Sequence, residues 1–454
     1  MISKDRTGLL KTFLGSLPAD IAARLASAIE ADRLLDGGVL PHEAILEGLR
    51  PTLRDANAAR TPTPLRLFCR PFEDLLTSAP RKAKQKASIA RASLLPVWLW
   101  LCRDLLPMQT EGFIADARAL IVSRKYAEAA KRAEQFWTEA SAALQAALAT
   151  PAARTALGDA LVLADAEEIA LLLPAGADIQ RIQEALPRPV PQFTEELVWE
   201  LRAVYDDLVT RMPDVAPYVA VVAMNRLARP WEALRLPMQI CRQHHDTLIS
   251  KTDMGLVGEI LFSRMERLRD AILITRHPLF EAENLLEQVA HFAEMSSAIV
   301  KEIEIKRDGE WGQRLFKDRS QIGTVMDGFM DRAMKEISAA LPMQKGTGGD
   351  FSRAMDAEKR AMALRYTKLV AGSRNFAAAG SFAAKQKTAY EDIGAYLRRY
   401  IEDAVKELKG ADPARRTVAE SQFQLCVELT GLLFSEQEAE VLQRRGRAAQ
   451  SAAA

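Results

Sequence analysis

The stretch "CRQHHD" at 241–246 is the densest chemical cluster in this chain of 454 residues. On a helix, Cys241, His244 and His245 would fall at i, i+3 and i+4 and share one face. A thiolate with two imidazoles is a zinc-ligating set, and Asp246 is adjacent. A Cys241–His245 pair is also the arrangement that activates a nucleophilic thiolate. The same spacing has a plainer reading. Trp231, Leu234, Met238, Cys241, His245 and Leu248 follow a 3/4 rhythm. Cys241 and His245 then sit on an apolar stripe, one as a small hydrophobe and the other as a hydrogen-bonded core residue. Pro237 kinks or splits the segment, and the neighbourhood offers no further ligands. A structural role is the expectation, with no metal, cofactor or catalytic residue assigned. Cys241, His244 and His245 remain the residues a thiol or metal enzyme would use.

Glu287 and His291 in "HPLFEAENLLEQVAHF" (277–292) form an i, i+4 pair. Carboxylate-bridged di-metal bundles instead use Glu-x-x-His on inward faces. Both residues fall off the neighbouring apolar stripe, so a solvated pair is expected. "QKGTGGD" (344–350) lacks the P-loop pattern and a preceding strand, and no GxSxG, HExxH or EF-hand loop occurs. Met326, Met330 and Met334 recur every four residues, as core filler or as an adaptable groove.

The segment "RKAKQKASIARASLLPVWLWLCRDLLP" (81–107) joins a basic run to a Leu/Trp block. Arg81, Lys82, Lys84, Lys86 and Arg91 are a candidate anion-binding patch for a membrane surface or nucleic acid. Such a patch attaches weakly without a second signal. The block Leu94–Leu106 is too short to cross a bilayer and has no polar face, which predicts a core helix, with Ser93 as its cap and Pro96 in the first turn.

The elements that must position these residues read as helices throughout. Leu and Ala dominate, aromatics are 6% and alternating β-branched runs are missing. Helix starts are expected at Ser16–Pro18, Thr150–Pro151, Asp412–Pro413 and Ser435, the last a capping box with Glu438. Leu285, Val289, Phe292, Ser296, Ile299 and Ile303 make one stripe, and Ile322, Met326, Phe329, Ala333 and Ile337 another. The connection "RDGEWG" would return them as an antiparallel pair. Tyr390, Ile393, Leu397, Ile401, Val405 and Leu408 form a third stripe ended by Gly410, followed by Leu425, Leu429 and Leu432.

The expected fold is therefore all-α: irregular helical hairpins in a bundle or solenoid-like array, with long antiparallel, coiled-coil-like helices in the middle and C-terminal regions. "KYAEAAKRA" and "PWEALRL" hint at helix-pair repeats, but no fixed period is sustained. The Pro-rich "PRPVPQ" (187–192) and "QKGTGGD" suggest boundaries giving regions 1–190, 191–345 and 351–447, with a disordered tail 448–454.

Lys+Arg 61 against Asp+Glu 60 leaves net charge +1, which argues against a general polyanion binder. Four scattered cysteines without a CxxC suit a reducing compartment. With no apolar h-region near the first residue and no spanning segment, a cytoplasmic protein is expected. These features favour a non-enzymatic scaffold or adaptor that binds another macromolecule, itself or a second protein, through exposed helix faces. Anionic-surface binding through 81–91 is the first alternative, and an enzyme using Cys241 and His245 the second.

Overall fold

The computed structural model describes residues 4–34, 40–55, 62–78, 83–186, 188–275, 277–278, 280–344, 348–410 and 412–451. The fold is all-α. Its named strands are two-residue pairs: Leu76–Thr77 runs parallel to Ile89–Ala90, and Met343–Gln344 antiparallel to Gly348–Gly349. Among the described residues no helix is long and apolar enough to cross a membrane. The chain divides into two compact units, Met1–Arg242 and Gln243–Ala454.

Both proline- or glycine-rich loops read as boundaries lie inside a unit. Val190 donates its N–H to Arg226 O (2.8 Å) and accepts from Ala228 N (2.9 Å), so the 188–192 loop is stapled to the first unit. Near 344–350, Gly349 N donates to Asp403 Oδ2 (3.1 Å) and Gln422 Nε2 to Asp350 O (3.2 Å). Proline and glycine mark where the helical ladder stops, not where tertiary contacts stop.

In the first unit, helices Lys4–Gly15, Ala19–Leu34 and His42–Asp55 pack around Leu14, Ala22, Ala26, Ile29, Leu46, Leu49 and Leu53. Ser16 and Thr150 are not N-caps. Their hydroxyls reach back to Phe13 O (2.8 Å) and Ala147 O (2.7 Å), serving the end of the preceding helix. A second core is aromatic. Trp98 lies against Phe68, Phe113 and Phe136, and Phe113 stacks on Phe136 with centroids 4.4 Å apart. The Leu/Trp block is thus core, as expected, but its helix is Arg91–Trp100 followed by a wider turn Leu101–Leu105. Ala90 occupies the cap position, and Ser93 is buried one turn inside, with a different partner described below. The two supposed repeat motifs are unlike: the first opens the long helix Tyr126–Leu148, the second is a 3-10 turn, Pro230–Leu234.

The second unit contains Leu256–Leu273, Ala282–Glu302, Glu310–Ala340, Ala357–Gly372, Ala383–Leu408, Pro413–Leu433 and Glu436–Ser451. Its stripes are buried as their spacing predicts: Leu285, Val289, Phe292, Ser296, Ile299 and Ile303, then Ile322, Met326, Phe329, Ala333 and Ile337. Their pairing differs from expectation. Ala282–Glu302 and Glu310–Ala340 do not form a tight hairpin; each packs on Leu256–Leu273 instead. The connection is drawn aside by 244–246: Glu304 N donates to His244 O (3.0 Å), Asp246 N to Glu304 O (3.2 Å) and Lys306 N to Asp246 Oδ1 (2.9 Å).

Asp412 caps its helix, accepting from Ala414 N (3.0 Å), and Ser435 Oγ accepts from Glu438 N (3.2 Å). Leu432 is exposed, and Leu433 takes the core place beside Leu425 and Leu429. The segment read as the start of a disordered tail, 448–451, continues the last helix; 452–454 lie outside the described residues.

Candidate functional site

The Cys–His face does not exist. Helix Arg235–Cys241 ends at Cys241, because Arg242 adopts a left-handed conformation (φ 51°). His244 and His245 then lie on an extended stretch, where His245 bridges to Glu304. His245 Nδ1 sits 2.8 Å from Glu304 Oε2, and Lys306 beside it holds the Glu304 carboxyl below its usual range. Helical spacing was the basis of the cluster, and the helix stops where the cluster begins. Among the described residues no group of three or more His, Cys, Asp or Glu side chains is placed to hold a metal ion. Glu287 and His291 are both exposed, as expected for a solvated pair. Met326 and Met330 are core; Met334 is half-buried.

The basic run has a different fate from the one its composition suggests. Arg81 and Lys82 lie outside the described residues, Lys86 is exposed and Arg91 half-buried. Lys84 turns inward. Its ammonium donates to Asp165 Oδ1 (2.6 Å), to Glu168 Oε2 and to Ser88 O (2.8 Å), which uses all of its donors. Asp165 also accepts from Ser93 Oγ (2.6 Å) and Ala90 N (3.1 Å). Glu168 accepts from Ala87 N (2.6 Å) and from the Tyr218 hydroxyl. Desolvation, reinforced by the Glu168 charge, pushes the Tyr218 phenol far above its ordinary range. Segment 84–93 is therefore a strap buttoned to helix Ala160–Leu172 by an i, i+3 carboxylate pair, and Lys84 is not available to an external anion.

A candidate ligand site is a groove of about 550 Å³ in the second unit, along the outer face of helix Glu310–Ala340. It is lined by Arg307, Phe316, Arg319, Ser320, Gly323, Thr324, Asp327 and Ser381. Two i, i+4 rows of one helix form the floor, Phe316–Ser320–Thr324 and Arg319–Gly323–Asp327. Gly323 allows the opposite wall to close in: a Cβ there would stand 2.9 Å from Ser381 O. Ser381 itself holds a left-handed backbone (φ 67°). Arg307, in the turn before the helix, lies over the Phe316 ring with its guanidinium carbon 5.0 Å from the centroid.

The polar atoms of this groove are under-used. Arg314, one turn before Arg319, is held by both Glu259 (2.6 Å) and Glu266 (2.8 Å). Arg307 and Arg319 have no carboxylate partner among the described residues, and Arg319 Nε is buried with no acceptor. Asp327 Oδ1 is likewise buried with no donor. Burial raises the Asp327 carboxyl above its ordinary value, against the pull of Lys385, with Asp331 adding to the rise. An unsatisfied buried polar atom costs roughly 1–3 kcal/mol, more if charged. The groove thus offers donors for an anion at one end and an acceptor at the other. Sequence reasoning passed over these residues because they look like an ordinary solvated helix face; the signal present was Gly323 interrupting that face between Arg319 and Asp327.

Compared with known proteins, the chain matches no family model and is similar to no curated protein or solved structure.

Proposed function

We propose that the chain is a helical binding protein that takes an anionic group into the groove beside helix Glu310–Ala340. It falls within the wider class of helical adaptors that work through exposed helix faces. The observation that carries the reading is the pair Arg307 and Arg319: two guanidinium groups without carboxylates facing one groove, one with a buried, unpartnered Nε. A charge-assisted hydrogen bond from one of these guanidinium groups to an anion would contribute about 1.5–3 kcal/mol. Arginine suits this role because its planar fork matches carboxylate and phosphate oxygens in pairs.

Titration calorimetry of the full chain with inorganic phosphate tests the proposal. Phosphate binds the native protein in the millimolar range or tighter, and Arg319→Ala weakens it by roughly 10–100-fold, the equivalent of one such bond. Arg445→Ala, which removes only an exposed pair with Glu402, leaves binding unchanged. A flat titration of the native protein, or an Arg319→Ala variant that binds as well as the native one, refutes it.

A further inference from the structure

The groove carries more information than an affinity for anions. We infer that its ligand is a small molecule with an anionic head for Arg307 and Arg319 and a hydrogen-bond donor, a hydroxyl or an ammonium, for Asp327. This rests on the anion-binding reading above and narrows it to a ligand class: phosphorylated or carboxylated polyols and amino alcohols.

Three observations support it. First, Asp327 lines the same groove as the two arginines, and its Oδ1 has no donor, so the site is incomplete at both ends. An ionised carboxylate only accepts, and a bare anion such as phosphate would leave it unsatisfied or repel it. A ligand that also carries a donor completes both ends at once. Second, Arg319 and Asp327 are two turns apart, about 12 Å between Cα atoms at 1.5 Å per residue. The long arginine side chain covers part of that span, and a short chain of carbons can cover the rest. Between them lie the hydroxyls of Ser320, Thr324 and Ser381. Thr324 Oγ1 already donates to Ser320 O (2.9 Å), so towards a ligand it is an acceptor, again asking for donors. Third, the volume of about 550 Å³ is within the range of small-molecule sites. One face of Phe316, the aromatic side chain lining the groove, is occupied by Arg307. That argues for a polar, aliphatic ligand over one with a large stacking ring.

The experiment compares four probes on the full chain by calorimetry: inorganic phosphate, glycerol 3-phosphate, phosphoethanolamine and glycerol. Glycerol 3-phosphate or phosphoethanolamine binds at least tenfold tighter than phosphate, and glycerol alone does not bind. The tighter of the two identifies the donor as hydroxyl or ammonium. Asp327→Ala abolishes the advantage over phosphate while leaving phosphate itself bound; Asp327→Leu, which keeps the bulk without an acceptor, serves if the alanine variant does not fold. Should phosphate bind and need Arg319, yet the donor-bearing probes gain nothing or keep their gain in the Asp327 variants, this inference is overturned and the anion-binding reading stands. If phosphate does not bind, both fall. Binding of glycerol as tight as that of its phosphate overturns the inference as well.

Discussion

Replacing Lys84 by Met tests whether the basic run is structure or surface. The substitution keeps most of the aliphatic stem and removes the ammonium. What remains is Asp165, fully buried, and Glu168, nearly so, one helical turn apart and without the ammonium that bridges them. Their neutral donors stay: Ala90 N and Ser93 for Asp165, Ala87 N and Tyr218 for Glu168. Removing one partner of a buried pair costs about 3–5 kcal/mol, because the surviving charge is left uncompensated. The Lys84 side chain is 22% exposed, so water softens the loss and the lower end, about 3 kcal/mol, is expected. For a unit of this size each kcal/mol moves Tm by about 2–4 °C, which gives a fall of roughly 6–12 °C. Near-ultraviolet circular dichroism of the buried Trp98 and Trp137 follows the melt of the first unit. Lys86→Met, at an exposed position two residues on, should stay within about 0.5 kcal/mol of the native protein. Adding Asp165→Asn and Glu168→Gln to Lys84→Met should restore more than half of the loss, since no buried charge then remains. A Lys84→Met variant as stable as Lys86→Met, or a triple variant weaker than the single one, would refute the account of the strap.

Other positions give sharp expectations. Helix Pro107–Val122 closes in a Schellman motif, with Lys125 N donating to Leu120 O (2.8 Å) and Arg124 N to Ile121 O (3.0 Å), and Arg124 takes the left-handed position (φ 57°) normally held by glycine. Arg124→Gly should therefore stabilise the first unit by about 1 kcal/mol in a urea titration, and a loss of stability would contradict the motif. Gly258 lies against the ring of the fully buried Trp311, where a Cβ would come within 2.0 Å of the indole. Gly258→Ala should destabilise the second unit by about 1–3 kcal/mol despite its better helix propensity, with Trp311 emission shifting to the red as the indole is displaced. Burial pushes the Cys102 thiol up to about 11, with Arg103 only partly offsetting it. Because the raised value keeps the thiol protonated at neutral pH, its alkylation by iodoacetamide, read peptide by peptide in the mass spectrometer, should keep accelerating towards pH 11; a plateau near pH 9 would contradict the burial.

What could be read from the residues alone was whatever depends on local rhythm. The stripe Leu285–Ile303, the cap at Asp412 and the buried Leu/Trp block follow from spacing and side-chain chemistry, which act within one or two helical turns. What escaped depends on partners distant in sequence. Ser93 looked like a cap because serine before an apolar run usually is one, yet its hydroxyl goes to Asp165, 72 residues away. Lys84 stood in a run of basic residues and so looked solvated, while the carboxylates that claim it, in "ADAEEIA", looked like a surface face. The Cys–His cluster failed for a subtler reason: its geometry assumed a helix that continues past Cys241, and the left-handed turn at Arg242 belongs to the backbone, not to any side chain named in the motif.

The same asymmetry explains why the groove was invisible. A charged residue on a helix face signals nothing until its partners are known, because most such residues are paired or solvated, as Arg314 and Arg269 are paired here. Arg307 and Arg319 differ in lacking a carboxylate and Asp327 Oδ1 in lacking a donor, a property of the neighbours and not of the residues themselves. Burial without a partner is destabilising. In the strap every carboxylate oxygen has a donor; in the groove an arginine Nε and an aspartate oxygen have no partner along one helix. That contrast between two polar clusters of similar composition makes the groove the place to look for a ligand, and the strap the place to look for stability.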